Sequence, residues 1–479
     1  MRNVEHESGG AASLAEKTAG RGAAIATFVV IVLAAIFLRF YKLGAWSFWA
    51  DEVFTIYDSR NLSRVRGYPV GYFLIGLVLR VFDVSEFSAR LLPAVAGIVS
   101  VPVLYWIGRH LYSRRTGLIA AGLLSISCFH IYYSQYARYY TLLMLFGMLA
   151  MWFAFLGIER NSRGWIAAAV AGLVLAFLTH WTAGLLIPAL GLTFLWLAHG
   201  QERPAGANRF NAAVLLGPFV VGGVLLTPVF VRFLRGWSGA ESFSVMRAGL
   251  LVLKVADRIE PAVILCALVG GFLFWVERDY RLKWLAPYAL VPPAVVVIVV
   301  AFSRGGSRFA IVCLPAWLLL AAYGLDRLIA IGRKKHPVMA CVLVACVAVS
   351  LLIKDARYFT VEMGQRPPWK EAVRFVKDKG FGRHNEIITN SPALFSYYFC
   401  ASIWMPNVLA DYSPSQLEDI LAPLRGKDSP AVILVEHTSN VAPTREQWRV
   451  ISEHCDLVES YPLYVRFLDY SISIYVQKE

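Results

Sequence analysis

Of 479 residues, 58% are hydrophobic and only 16% are charged, against about 25% charged in an ordinary soluble domain, which excludes a soluble enzyme. Residues 354–479 carry 14 basic and 16 acidic groups, so the formal charge of +14 comes wholly from the preceding 353 residues, at +16. Basic flanks of membrane spans and an anionic membrane-bound substrate both draw on such charge, and no nucleic-acid partner is needed to explain it.

In chain order, residues 1–20, with Gly9, Gly10 and scattered charges, read as a disordered cytosolic leader without a cleavable signal. A membrane helix needs about 20 apolar residues. Runs near 22–38, 88–108, 117–133, 139–158, 164–179, 182–198, 212–231, 259–276, 284–302, 308–330 and 337–353 predict about eleven spans. The run from Tyr68 to Phe82 is short, opens on Tyr68-Pro69 and carries Arg80, so it reads as a helix lying at the interface. Leaving it out gathers Arg109, Arg114, Arg115, Arg160, Arg163, Arg278, Arg281, Lys283, Arg333, Lys334 and Lys335 on the side of the N-terminus, as the positive-inside rule asks.

The expected fold is a polytopic α-helical membrane protein with juxtamembrane helices and a small C-terminal soluble α/β domain. Residues 21–353 form the membrane part, with a long first outer loop at 39–87, and residues 354–479 lie on the periplasmic or extracytoplasmic face. The N-terminus is then cytosolic, in a multi-pass protein of the cell inner (cytoplasmic) membrane. Within the tail, helices are predicted at 369–379, 415–424 and 444–455, and strands at 386–389, 431–436 and 471–477. Five cysteines sit in apolar runs and pack as small hydrophobes; Cys400 and Cys455 lie in the tail, where an oxidising compartment would permit their pairing.

Almost every polar oddity near a helix end falls on the outer side. Asp51-Glu52 follows the aromatic segment Trp46-Ser47-Phe48-Trp49-Ala50. The pair fits a cap at the positive end of a helix starting near Val53, and also a general base at the membrane surface. Arg138, flanked by Tyr136, Tyr139 and Tyr140, suits bidentate capture of a lipid-linked phosphate or anchoring among headgroups. Arg304 and Arg308, with two glycines between them, suit an anion or the interface. His180 at a span end is a hydrogen-bond donor to phosphate or sugar, or a satisfied interfacial histidine. Their shared face is the stronger argument: two carboxylates, Arg138, His180 and Arg308 make an anion site with an acid/base pair beside it. A carboxylate pair also fits a divalent ion, yet no full ligand set accompanies it.

This arrangement resembles the GT-C glycosyltransferases related to dolichyl-phosphate-mannose protein mannosyltransferases and bacterial aminoarabinose (lipid A) transferases. Trp49-Ala50-Asp51-Glu52 looks like their acidic motif in the first outer loop. Tyr68-Pro69-Val70-Gly71-Tyr72 is similar to a His/Lys-Pro-Pro-Leu-Tyr segment, and Ser85 to Pro93 looks like the approach to their second span. Tyr133 to Tyr140 resembles a Ser-x-Glu-Ala-Arg-x-Tyr motif, Leu178-Thr179-His180-Trp181 a Tyr-Thr-His-Tyr corner, and Ser307-Arg308-Phe309 with Pro315 an Arg-Tyr followed by proline. Pro368 to Ala372 looks like the start of their outer domain. Tyr68 and Tyr136 depart from the pattern, replacing a His or Lys and an acidic residue.

The resemblance implies transfer of a sugar from a polyprenyl-phosphate donor to an envelope lipid, glycan or protein acceptor, with inversion. Asp51 then serves as base, Glu52 as a secondary acid, and Tyr68, Tyr72, Arg138, Tyr140, His180, Arg304 and Arg308 bind substrate, among membrane lipids and with no certain cofactor. A lipid-linked saccharide transporter, or flippase, is the competing reading, since it too needs many spans and a basic, aromatic cavity. A structural membrane subunit whose outer domain does the binding is a third.

Overall fold

The computed structural model describes residues 4–65, 69–199, 204–236, 244–301, 306–335, 337–381, 386–399, 407–422, 430–437, 442–465 and 468–478. Helix α1 (Val4–Phe40) leads to α2 (Ala50–Arg60) and α3 (Pro69–Val81), followed by α4 (Glu86–Leu111), α5 (Arg114–Ser125), α6 (Cys128–Ser134) and α7 (Tyr140–Glu159). The bundle continues through α8 (Arg163–Thr179), α9 (Leu186–Ala198), α10 (Arg209–Gly236), α11 (Val245–Ile259), α12 (Pro261–Glu277), α13 (Leu282–Ala301), α14 (Leu314–Lys335) and α15 (Pro337–Thr360).

Among the described residues, six helices are long and apolar enough to cross a membrane, and two bent helix pairs bring the number to eight. Seven of these fall on expected runs; of the eighth, the bent pair α11 and α12, only α12 lies on an expected run, at 259–276, and α11 occupies a stretch read as loop. The other three runs, at 164–179, 212–231 and 337–353, fall on α8, α10 and α15. Chain breaks have identifiable causes. The run at 117–133 divides into α5 and α6, bent by 59°, where Arg39 donates to the carbonyls of Leu124 and Ser125 at 2.9 Å each and so satisfies the end of α5. Pro261 starts α12 after Glu260, and α11 meets α12 at 88°. The 13 residues of α3 span only about 20 Å, short of the hydrocarbon thickness, in keeping with an interfacial helix. Exposed apolar side chains such as Val30, Leu33 and Phe37 on α1 suit contact with lipid rather than water.

The tail adds α16 (Trp369–Asp378), β1 (Ile387–Thr389), α17 (Pro392–Phe399), β2 (Asn407–Val408), α18 (Pro414–Leu421), β3 (Val432–Glu436), α19 (Arg445–His454), β4 (Cys455–Tyr461), β5 (Tyr464–Val465), β6 (Leu468–Asp469) and β7 (Ile472–Gln477). Five strands make one sheet in the order β2-β1-β3-β7-β4. In it β1 runs parallel to β2 and β3, while β7 is antiparallel to β3 and β4, pairing Leu434 with Ile474. Every residue of β3 is buried, because both faces of the sheet are covered. On one face Ile388, Ile433 and Val435 pack with Leu417 and Ile451. On the other, Val432, Leu434 and Ile474 share a core with Trp369 and Phe395, and with Phe48, Val53 and Ile75 of the juxtamembrane segments. The sheet is thereby packed onto α2 and α3. Cys400 lies outside the described residues, and with it the proposed pairing to Cys455.

Two glycines allow backbone to approach aromatic rings. Gly364 has φ +65° and faces Trp46, so a side chain there is strained and blocked. At Gly71 a methyl group would lie 2.6 Å from Tyr139 Cβ. Gly71→Ala is expected to destabilise the protein by about 1–3 kcal/mol through overpacking, read as a lower melting temperature in detergent; an unchanged melting curve would contradict this packing.

Candidate active site

The first turn of helix α2 carries Asp51 and Glu52, where the exposed N–H groups and the macrodipole favour negative charge. Consecutive helical residues point about 100° apart, so the two carboxylates diverge. Glu52 turns inward and is fully buried. Its Oε1 accepts from Arg90 Nε at 2.9 Å and the Ala137 N–H at 2.8 Å. Its Oε2 accepts from the Trp49 N–H at 2.9 Å, Arg90 Nη2 at 3.1 Å and Arg366 Nε at 3.3 Å. Burial alone would raise the Glu52 pKa, but Arg90 and Arg366, with the hydrogen bonds they and Ala137 supply, hold it below the usual carboxylate range.

Arg90 spends its remaining donors on the carbonyls of Leu43, Trp46 and Ser47, at 3.1, 3.0 and 2.8 Å. Arg366 lies over the rings of Tyr132 and Tyr136, at 4.8 and 5.0 Å from their centroids, and donates to the Gln135 carbonyl at 2.9 Å. Gln135 in turn donates to the carbonyl of Tyr41 at 2.8 Å and accepts from the Tyr358 hydroxyl at 2.9 Å. The corner between α6 and α7 is therefore fixed residue by residue.

Asp51 turns the other way and its side chain is 43% exposed, as is that of Arg308 at 42%. Arg308 Nη1 stands 3.6 Å from Asp51 Oδ2, and the Tyr136 hydroxyl donates to the same oxygen at 3.5 Å. Such a partly solvated pair is weak, so an incoming anion can replace it. Arg138 donates to the Asp51 carbonyl at 3.3 Å, to Thr55 Oγ1 at 3.0 Å and to the Tyr139 hydroxyl at 2.9 Å. The Nε atoms of both Arg138 and Arg308 are buried without a hydrogen-bond partner among the described residues. Two guanidiniums therefore retain donor capacity beside one carboxylate.

Aromatic rings wall this space. Tyr72 meets Tyr139 edge-on at 5.5 Å, Tyr139 stacks on His180 at 5.1 Å, and Tyr136 is parallel to Tyr140 at 6.4 Å. His180 also stacks on Phe309 at 5.9 Å. Burial, Arg138 and Arg308 push the His180 pKa down to about 3, so the ring is neutral at physiological pH. Its Nδ1 lies 2.7 Å from Thr182 Oγ1 and accepts the Thr182 N–H at 3.3 Å.

The structure thus gathers Asp51, Tyr72, Arg138, Tyr140, His180 and Arg308. Tyr68 and Arg304 lie outside the described residues. Glu52 is not brought to this space: both its oxygens are consumed by buried donors, so the geometry gives it a scaffold position instead of the expected secondary-acid one. Sequence reasoning passed over Arg90 and Arg366 as functional supports. A signal existed for Arg90, since an arginine opening an apolar span is costly unless paired. It also missed Arg258, whose guanidinium lies over Tyr132 at 5.3 Å and Phe129 at 5.9 Å, extending the basic surface around the tyrosines. Among the described residues no group of three or more His, Cys, Asp or Glu side chains converges.

The fold has counterparts among known proteins. Among solved structures, ArnT from Cupriavidus metallidurans in the apo state superposes with a TM-score of 0.56 at 13% identity, covering 95% of this chain and 98% of that one. The chain has the GT-C fold. ArnT from the same organism bound to undecaprenyl phosphate matches with a TM-score of 0.52 at 15% identity, over 94% of this chain and 97% of that one. The archaeal oligosaccharyltransferase AglB from Archaeoglobus fulgidus, in complex with an inhibitory peptide and a dolichol-phosphate, matches with a TM-score of 0.52 at 11% identity, over 86% of this chain and 69% of that one. The family described as dolichyl-phosphate-mannose-protein mannosyltransferase matches residues 66–225. An uncharacterized protein of Aquifex aeolicus (strain VF5) is 26% identical over 282 residues, 55% of this chain; the chain spans about half (52%) of that relative's length.

Removing one partner from the buried ionic cluster strands charge in a dry environment. Glu52→Gln is expected to cost about 3–5 kcal/mol of stability, whereas Asp51→Asn leaves the melting temperature nearly unchanged. Because the folded-state pKa of Glu52 is depressed, its contribution is complete above the unfolded value of about 4.5 and is lost as pH falls through the lower folded value. Thermal melting across pH 3–7 checks both; equal melting of Glu52→Gln and wild type would refute the scaffold.

Proposed function

We propose that the chain is an integral-membrane glycosyltransferase. It moves a sugar from a polyprenyl-phosphate donor to a hydroxyl or amine of an envelope lipid, glycan or protein, with inversion, on the outer face of the cytoplasmic membrane. The observation that carries this reading is the solvated carboxylate of Asp51 beside two guanidiniums, Arg138 and Arg308, each with an unused buried nitrogen. The undecaprenyl phosphate and dolichol-phosphate bound to structural neighbours support a lipid-phosphate donor. The distribution of basic clusters supports a cytosolic N-terminus, with Asp51 on the far side.

In this mechanism the acceptor oxygen or nitrogen attacks the anomeric carbon as the bond from that carbon to the phosphate oxygen breaks. The acceptor proton passes to Asp51 Oδ2, and the bonding electrons leave on the lipid phosphate. Arg138 and Arg308 bind that phosphate more strongly as its charge grows, which lowers the barrier without a second acid. Tyr136 holds the Asp51 carboxylate toward the shared space, and the neutral His180 ring, stacked on Tyr139, packs beside the sugar. Tyr72 and Tyr140 complete the aromatic wall against which the sugar packs.

Incubating the purified protein with polyprenyl-phosphate sugars and following donor consumption separates transfer from flipping, which leaves the donor intact. Asp51→Asn is expected to lower turnover by about 10²–10⁴-fold with donor binding retained; near-normal turnover would eliminate the base. Arg138→Ala and Arg308→Ala are each expected to weaken binding of a lipid-phosphate analogue by roughly ten- to hundredfold. Unchanged affinity in both variants would reject their role.

A further inference from the structure

The end of the bundle away from Asp51 carries a cavity lined by both tryptophans and cations. Helix α12 starts at Pro261 and its 17 residues carry the chain about 25 Å to Glu277. Helix α13 returns over 20 residues to Ala301, shortly before Arg308, so the α12–α13 turn lies at the far end. Against this turn, with the last turn of α9, is a cavity of about 630 Å³ lined by Trp196, Phe274, Trp275, Arg278, Asp279 and Lys283.

The charges at this end do not cancel. Asp279 Oδ1 lies 3.5 Å from Arg281 Nε and accepts the Arg281 N–H at 2.9 Å. Glu277 is engaged by Arg327 and Tyr323, and Glu159 by His110 at 3.0 Å and Tyr280 at 3.2 Å. Each nearby acid is therefore already used, while Arg278 and Lys283 have no hydrogen-bonded or ion-paired side chain among the described residues. Arg278 also holds a left-handed backbone, φ 57°, at the C-cap of α12, a position where glycine is the easier residue. Trp275 is 69% exposed and Trp196 41%, beside Val276 at 55%. Indole rings next to unpaired cations on membrane helices suit the boundary between acyl chains and headgroups.

We propose that this cavity binds the phosphodiester headgroup of an anionic membrane phospholipid. Arg278 and Lys283 take the phosphate, and Trp196 and Trp275 rest against the glycerol and upper acyl chain. A lipid is favoured over a soluble anion because the cations share the cavity with exposed tryptophans on helices that face hydrocarbon. The site is separate from the sugar-transfer site and does not depend on that reading.

The test uses the full chain in detergent, offered an equimolar mixture of phosphatidylglycerol and phosphatidylcholine and read by native mass spectrometry. Wild type is expected to retain phosphatidylglycerol preferentially. Arg278→Gln combined with Lys283→Gln is expected to reduce that preference by roughly thirtyfold, the product of two basic contacts. Arg160→Gln with Arg163→Gln, neutralising two cations outside the cavity, is expected to keep it. No preference in wild type, equal preference in the first double variant, or an equal loss in the second overturns the site. Glycerol phosphate retained as well as the whole lipid also overturns it. Hydrogen exchange in wild type gives an independent reading: backbone amides of residues 275–283 are expected to slow with phosphatidylglycerol and not with phosphatidylcholine, and unchanged exchange with both counts against the proposal.

Discussion

A single buried carboxylate holds together four distant parts of the chain. Glu52 receives donors from its own helix start at Trp49, from Arg90 on α4, from the Ala137 N–H in the corner between α6 and α7, and from Arg366 before α16. Taking one carboxylate and two guanidiniums out of water is costly, and only near-complete hydrogen bonding makes it tolerable. Both carboxylate oxygens and all the Arg90 nitrogens are satisfied. This requirement leaves little freedom in how the tail, the first loop and the bundle meet.

Division of labour between adjacent acids follows from that constraint. Glu52 is locked, so the start of α2 is fixed in position and rotation, and Asp51 is aimed at Arg308 without being buried itself. The Ala137 N–H is spent on Glu52 while its neighbours Tyr136 and Arg138 reach Asp51 and Thr55. Preorganised cations near a solvated carboxylate are what a reaction that expels an anion needs, since no reorganisation is required as charge develops. The tail domain contributes through the same cluster: Arg366 lies over Tyr136, and Trp369 packs in the core shared with Phe48 and Val53.

Much of this arrangement was legible in residue order. Apolar run lengths located most of the long helices, and alternating or helical patterns in the tail marked β1, β3, β7, α16 and α19 within a residue or two and α18 within three. Asp51, Arg138, His180 and Arg308 stood out because polar groups at span ends are few, and the structure places them in one region. Which of two consecutive acids faces inward was not legible, because that depends on what packs against α2 rather than on α2 itself. The partnership of Glu52 with Arg366 spans 314 positions, beyond the reach of any periodicity. The break at Ser125 to Cys128 was likewise hidden in an apolar run, since its cause is the remote side chain of Arg39.

The account stands on a lipid phosphate meeting two arginines next to a solvated aspartate. A structure of the protein with a bound polyprenyl-phosphate analogue tests this most directly. The phosphate is predicted within hydrogen-bonding distance of both Arg138 and Arg308, on the Asp51 side of the tyrosine wall. A phosphate seated elsewhere, out of reach of both guanidiniums, would contradict it.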